Sequence, residues 1–212
     1  RGRLSGVHLG RFAARDRNSP GPVTMPQEIE VKFPLRDRSA LIGRLTAAGA
    51  ERLYPETFED NIVLDRRGEL RTKGALLRVR KFGKYVLATY KGPAAFEGGV
   101  KKRDEVQTGL ESFDRAVQLF ESLGFKPVFR YQKFREVWRL RTVEVVLDRT
   151  PIGEYFEIEG PLEVIRTVVD ELKLNMDEAV RSSYAELYRL ARRTRSDLPE
   201  HMVFNPQDFP SL

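Results

Sequence analysis

Charged and apolar side chains alternate along one short segment after another in this chain, and that alternation limits the folds available to it. Successive residues of an extended strand face opposite sides. Residues 27–33 therefore set Glu28, Glu30 and Lys32 against Ile29, Val31 and Phe33. Residues 75–82 set Arg78 and Arg80 against Leu77 and Val79, and residues 84–91 carry Lys91 on the side of Leu87 and Thr89. Residues 100–109 line up Lys101, Arg103, Glu105 and Gln107. Residues 128–141 set Lys133, Arg135, Val137 and Arg139 against Phe134, Trp138 and Leu140. Residues 143–149 place Glu144, Val146 and Asp148 opposite Val143, Val145 and Leu147, and residues 154–159 place Glu157 and Glu159 opposite Phe156 and Ile158. An eighth strand is read at 57–65. Tight turns at Phe82-Gly83-Lys84, Arg141-Thr142 and Pro151-Ile152-Gly153 join several of these segments, so the sheet is expected to be mostly antiparallel.

Four stretches instead repeat their apolar residues with helical spacing: 37–49, 112–124, 161–174 and 177–196. The first buries Leu41, Ile42, Leu45 and Ala48, and the second Ala116, Val117, Phe120 and Leu123. Gly49 and Gly124 stop them. The last carries Ala179, Val180, Tyr184, Leu187 and Leu190 on one face. One polar sheet face is ordinary, since it can look into water. Here nearly every strand has one, and it is filled with lysine, arginine and carboxylates. Eight such strands close without leaving a free edge. The expected fold is α+β: an eight-stranded antiparallel β-barrel with a charged lumen and helices packed on its apolar outside.

Composition narrows the chemistry. The chain has no cysteine, so disulfides, metal-thiolate sites and cysteine nucleophiles are excluded. Its two histidines, His8 and His201, lie near the ends, which argues against a histidine triad or a multi-histidine metal site. No apolar run approaches the ~20 residues of a membrane helix. The net charge of +6 is concentrated in residues 1–24, which hold five arginines and one aspartate, leaving 32 bases against 30 acids beyond them. A nearly neutral body is not a nucleic-acid footprint. Residues 1–24 are expected to be a disordered or non-native extension, 25–196 the folded domain, and 197–212 a tail whose Val203, Phe204 and Phe209 either dock or stay loose. The missing cysteines and the lack of a secretory signal favour the cytoplasm.

The expected lumen collects Lys32, Arg78, Arg80, Lys91, Lys101, Arg103, Lys133 and Arg135 with Glu28, Glu30, Glu105, Glu144, Asp148, Glu157 and Glu159. Drying an unpaired charge costs several kcal/mol per ion, so a wet, ligand-filled passage suits this set. Clustered lysines and arginines fit phosphate oxygens. Clustered carboxylates without histidine or cysteine fit hard cations, Mg²⁺ or Mn²⁺. A metal-bound polyphosphate meets both needs.

At this point the sequence resembles the CYTH superfamily, the triphosphate tunnel metalloenzymes. Glu28-x-Glu30-x-Lys32 is similar to the family's N-terminal signature. Leu77-Arg78-Val79-Arg80, Thr89-Tyr90-Lys91-Gly92-Pro93, Lys101-x-Arg103-x-Glu105, Lys133-Phe134-Arg135, Asp148 with Glu157-Ile158-Glu159-Gly160, and Tyr184-Ala185-Glu186-Leu187 follow in order. The Tyr90-Lys91-Gly92-Pro93 and Glu157-Ile158-Glu159-Gly160 stretches look most like the CyaB-type branch, the class IV adenylyl cyclases. Asp104 stands where many relatives have Glu, on the outward face. The resemblance implies that Glu28, Glu30, Glu157 and Glu159, with Asp148, hold one or two divalent cations. It implies that Lys32, Arg78, Arg80, Lys91, Arg103, Lys133 and Arg135 cradle the triphosphate, joined by Lys101. Lys32, Glu28 and Glu30 are the expected catalytic residues. Lys101 and Glu105 could instead pair to keep the lumen satisfied, and Glu144 is left between lumen and structural roles.

Two reactions fit that lumen: cyclisation of ATP to cyclic AMP and pyrophosphate, and hydrolysis of the terminal phosphate of tripolyphosphate or thiamine triphosphate. A non-catalytic polyphosphate- or nucleotide-binding module could dispense with the acids, yet both acidic pairs are present. An RNA-binding barrel is disfavoured by the interleaved carboxylates and the few aromatics on the charged face. The expected partner is a small triphosphate molecule, with no nucleic acid and no membrane, and a homodimer is left open.

Overall fold

The computed structural model describes residues 27–209. The nine strands are β1 (Gln27–Pro34), β2 (Glu51–Asp65), β3 (Leu76–Phe82), β4 (Tyr85–Lys91), β5 (Ala95–Glu97), β6 (Val100–Leu110), β7 (Lys126–Leu140), β8 (Val143–Thr150) and β9 (Gly153–Glu159). Five helices lie between or after them: α1 (Arg38–Ala47), α2 (Glu69–Thr72), α3 (Phe113–Ser122), α4 (Leu162–Glu171) and α5 (Tyr184–Thr194). The sheet order is β1-β9-β8-β7-β2-β3-β4-β6, and β6 returns to β1, so eight antiparallel strands close into a barrel. The short β5 pairs with β6 beyond the end of β4. The expected extension 1–24 lies outside the described residues. Among the described residues no helix is long and apolar enough to cross a membrane.

The apolar strand faces point outward, as their alternation requires. Val31, Phe33, Trp138, Val143, Val145, Leu147, Phe156 and Ile158 meet Leu41 and Leu45 of α1 and Ile165, Val168 and Val169 of α4 in the largest core. Burying each such side chain stabilises by roughly 1.5–3 kcal/mol relative to exposure. A second core packs α3, through Ala116, Phe113, Val117 and Phe120, on β3 and β4. Leu123 and Leu190, each placed on the apolar face of its helix, are exposed.

Two expectations need correction, two short elements went unread, and the open position of the tail is resolved. β2 starts at Glu51, not 57, because register shifts around Tyr54 and before Thr57 interrupt its alternation. The helix read at 177–196 starts at Tyr184. Ser183 caps it in a capping box with Glu186, while residues 179–182 run along β1: the Val180 N–H donates to the Lys32 carbonyl at 2.8 Å. β5 and the four-residue α2 had no periodic signal. The tail is docked. Met202 bridges Tyr131 in parallel, and the rings of Phe204 and Phe209 lie 5.2 and 5.8 Å from that of Phe134.

Candidate functional site: a charged tunnel

The polar strand faces enclose one cavity of about 760 Å³. Every expected site residue but one lines it: Glu28, Glu30, Lys32, Arg78, Arg80, Lys91, Lys101, Arg103, Lys133, Arg135, Glu157 and Glu159, along with Glu105 and Glu144. The strand registers explain the convergence. Glu30 stands across from Lys101 on β6 and Glu159 on β9, and Lys32 across from Glu157.

The exception is Asp148. It has no exposed surface and is not among the cavity-lining residues. Its Oδ1 accepts from Arg135 Nε at 2.7 Å, and its Oδ2 accepts from Lys133 Nζ at 2.8 Å, Arg135 Nη2 at 2.7 Å and the Tyr184 hydroxyl at 2.7 Å. Those cations hold its carboxyl well below the usual range against the effect of burial. Expected among the metal ligands, it lies behind the wall as an anchor for two bases.

The remaining charges form short chains. Lys91 bridges Glu28 and Glu105, the latter at 2.7 Å. Lys101 meets Glu30 at 2.7 Å. Lys32 Nζ lies 3.3 Å from Glu157, donates to the Ser182 carbonyl at 3.1 Å and sits 4.1 Å from the Tyr184 ring centre. Arg135 also reaches Glu157 at 2.9 Å. Arg103 donates to the Gly92 carbonyl at 2.9 Å through Nε.

Glu59 was not foreseen. It is fully buried, with Lys133 at 3.5 Å and Arg80 at 3.8 Å. Burial would raise its pKa, but Lys133, Arg80 and Arg135 hold it at about 2. Its parity with Asn61 on β2 was the available signal, obscured by Asp60 beside it, which puts a carboxylate on the other face as well. Tyr131 was missed too, since a tyrosine on a strand carries no sign of its face. Its hydroxyl accepts from Arg78 Nη1 at 2.9 Å.

Several buried atoms find no partner in this network: Arg78 Nε and Nη2, Arg80 Nε, and Glu28 Oε2. Unsatisfied buried groups of this kind call for a ligand or ordered water. The guanidinium donors suit an anion and the carboxylate oxygen suits a cation. Carboxylates crowd on the Glu28 side, where burial and then the Glu28 charge push Glu159 up to about 8. Among the described residues no three carboxylates or imidazoles form a ready-made cage. Mg²⁺ is usually held by one or two carboxylates plus substrate phosphates, and Glu28 Oε2 is the buried carboxylate oxygen left without a partner here.

The two ends of the cavity differ. At one end Tyr54 packs edge-on against Phe82 and Tyr85, at ring distances of 5.5 and 6.4 Å, over buried Val137 and Val146. At the other, α2 and α5 stand on the rim. Asp65 accepts from the backbone N–H groups of Leu70 and Arg71 at 3.0 and 3.1 Å, which fixes α2 there. Tyr184 and Tyr188 hold α5.

The sequence model of the CYTH domain matches residues 26–184. A Methanocaldococcus jannaschii protein provisionally named an adenylate cyclase is 27% identical over 174 residues, covering 76% of this chain and 97% of its own. A solved structure from Vibrio parahaemolyticus, also provisionally named an adenylate cyclase, superposes with a TM-score of 0.69 at 18% identity, covering 78% of this chain and 99% of that one. A Hippeastrum protein described as a provisional adenylyl cyclase with a dominant triphosphatase activity superposes with a TM-score of 0.56 at 16% identity, over 77% of this chain and 96% of that one. The last two are likenesses of fold.

Proposed function

The chain belongs to the CYTH family, and from that premise we propose that its tunnel binds the triphosphate of a small molecule with Mg²⁺ or Mn²⁺ and acts on it as a class IV adenylyl cyclase does, converting ATP to cyclic AMP and pyrophosphate. The observation that carries this reading is the coexistence, in one cavity, of unpartnered guanidinium donors on Arg78 and Arg80 and an unpartnered carboxylate oxygen on Glu28.

In this mechanism the 3′-oxygen bonds to the α-phosphorus, the bond from that phosphorus to the bridging oxygen breaks, and pyrophosphate departs. Arg78 and Arg80 donate to phosphate oxygens, and Lys32, Lys91, Lys101, Arg103, Lys133 and Arg135 supply the surrounding positive field. Glu28, Glu30, Glu157 and Glu159 would hold the cation. When bound, it neutralises phosphoryl charge and eases loss of the hydroxyl proton. Among the described residues no histidine lines the cavity, so Lys32, with Glu28 and Glu30 nearby on β1, is the assigned catalytic set. Asp148 and Glu59 hold Lys133 and Arg135 in place. Stabilising charge that is already positioned is how phosphoryl transfer is accelerated.

A second reading is hydrolysis of the terminal phosphate of tripolyphosphate or thiamine triphosphate. It rests on the phosphate-facing residues, which are indifferent to what the triphosphate carries. Incubation with ATP and Mg²⁺ or Mn²⁺, with the products resolved, separates the two. Cyclic AMP plus pyrophosphate is expected. ADP plus phosphate would favour hydrolysis, and excess EDTA should abolish either. Binding unaffected by EDTA with no turnover would refute both.

A further inference from the structure

Three lysines of the lumen are tied down by charge. Lys91 donates to Glu28, Lys101 to Glu30 at 2.7 Å and Lys133 to Asp148 at 2.8 Å. Each such pair also cancels much of the positive field that the lysine would offer a ligand. Lys32 is held differently. Its ammonium donates to the Ser182 carbonyl at 3.1 Å and sits 4.1 Å from the centre of the Tyr184 ring. A carbonyl and a π face attract a cation without neutralising it. The Glu157 carboxylate stands 3.3 Å away, but a bound divalent cation would claim it.

A lysine ammonium is a point charge on a flexible stem, so its place in the lumen has to be imposed. The segment leading into α5 imposes it. The Val180 N–H donates to the Lys32 carbonyl at 2.8 Å, so the backbone of Lys32 is bound to the same segment as its ammonium. Ser183 and Glu186 close the capping box that sets Tyr184 as the first residue of α5. The Tyr184 hydroxyl donates to Asp148 Oδ2 at 2.7 Å, and its ring packs edge-on against that of Tyr155 at 5.7 Å. One turn on, the Tyr188 hydroxyl lies 2.8 Å from the Pro199 carbonyl and 2.9 Å from the His201 carbonyl, which keeps α5 against the barrel. The Tyr184 ring is thus buried, lines the cavity, and is fixed at its backbone, its edge and its hydroxyl.

We propose that Tyr184 is a positioning residue for the chemistry of this tunnel: its ring face, with the Ser182 carbonyl, fixes the Lys32 ammonium in the lumen and leaves its charge for the substrate. The proposal rests on the triphosphate reading above and deepens it. Lys133 is farther from the same ring, at 4.9 Å, and keeps Asp148 and Glu59 as partners. Loss of the ring therefore falls first on Lys32. The hydroxyl has a separate task, because it serves Asp148, which Arg135 and Lys133 also hold. Ring and hydroxyl can be removed one at a time. A reacting group misplaced by about 1 Å can cost about 10²-fold in rate.

The test measures kcat and KM for ATP, tripolyphosphate and thiamine triphosphate with Mg²⁺ in the wild type, Y184F and Y184L, with Tm as the check of folding. Both variants lose the hydroxyl, and only Y184L loses the π face. Y184F is expected to keep kcat within about threefold, since a phenyl face also attracts a cation. Y184L is expected to lower kcat by about tenfold to a hundredfold while KM changes by less than about threefold. Y184M, which also lacks a π face, is expected to match Y184L and serves where Leu does not fold. A role in packing alone would lower Tm without dividing kcat from KM. A tenfold loss of kcat in folded Y184F, or a loss under threefold in Y184L or Y184M, would overturn the proposal and leave the triphosphate reading intact. If the wild type turns over none of the three compounds, the triphosphate reading itself fails, and this inference with it.

Discussion

Arg78 shows how a single side chain can be committed to a ligand before one arrives. One nitrogen is held by the Tyr131 hydroxyl, while Nε and Nη2 are buried without acceptors. Arg78→Ala should lower kcat/KM by about 10²–10³, the usual effect of removing a preorganised charge donor, with circular dichroism unchanged. A loss under threefold would place Arg78 outside the reaction. Glu144 makes a different prediction. Burial pushes it up to about 7, against the pull of Arg135, Arg80 and Arg139. The folded protein therefore keeps this proton between its unfolded value of 4.5 and about 7. Glu144 thus subtracts nothing below the lower value, and its penalty grows as pH rises to the upper one. Glu144→Gln should stabilise by about 1–3 kcal/mol at pH 8 and by almost nothing at pH 4, as read from urea unfolding. An equal gain at both pH values would contradict this.

Among the elements, β9 ends where little else fits. Gly160 follows Glu159 directly with φ +155, and a Cβ there would lie 2.7 Å from Val143 Cγ1. Gly160→Ala should destabilise by about 1–3 kcal/mol through forced repacking of β8, seen as a lower urea midpoint. An unchanged midpoint would show that Val143 can move aside. The strands were legible in the sequence because a half-charged strand writes its two faces in alternate letters; Glu28, Glu30 and Lys32 stood out for that reason. What escaped had no such period. Asp60 hid Glu59 by placing an acid on each face of β2, the four residues of α2 are too few to show helical spacing, and 179–182 borrowed helical spacing from α5 while Val180 bonds to β1. Asp148 had the right parity for the lumen, but parity reports a face and not depth. No local pattern could show that Arg135, Lys133 and Tyr184 already surround it.

For the molecule as a whole, the segment after α5 completes the barrel rather than trailing from it. Met202 is fully buried, and Phe204 and Phe209 join Phe58 and Phe134 in one aromatic group. Removing residues 197–212 should lower Tm by about 5–10 °C and raise KM more than it lowers kcat, because Tyr188 loses the carbonyls that hold it against the mouth. A truncated chain with the wild-type Tm would mean that the docking contributes nothing. The ring packing of Tyr54, Phe82 and Tyr85 at the opposite end has its own implication. Those rings come from β2, β3 and β4, and they clamp the wall where the β2 ladder slips, so side chains take over there the work that backbone pairing does elsewhere.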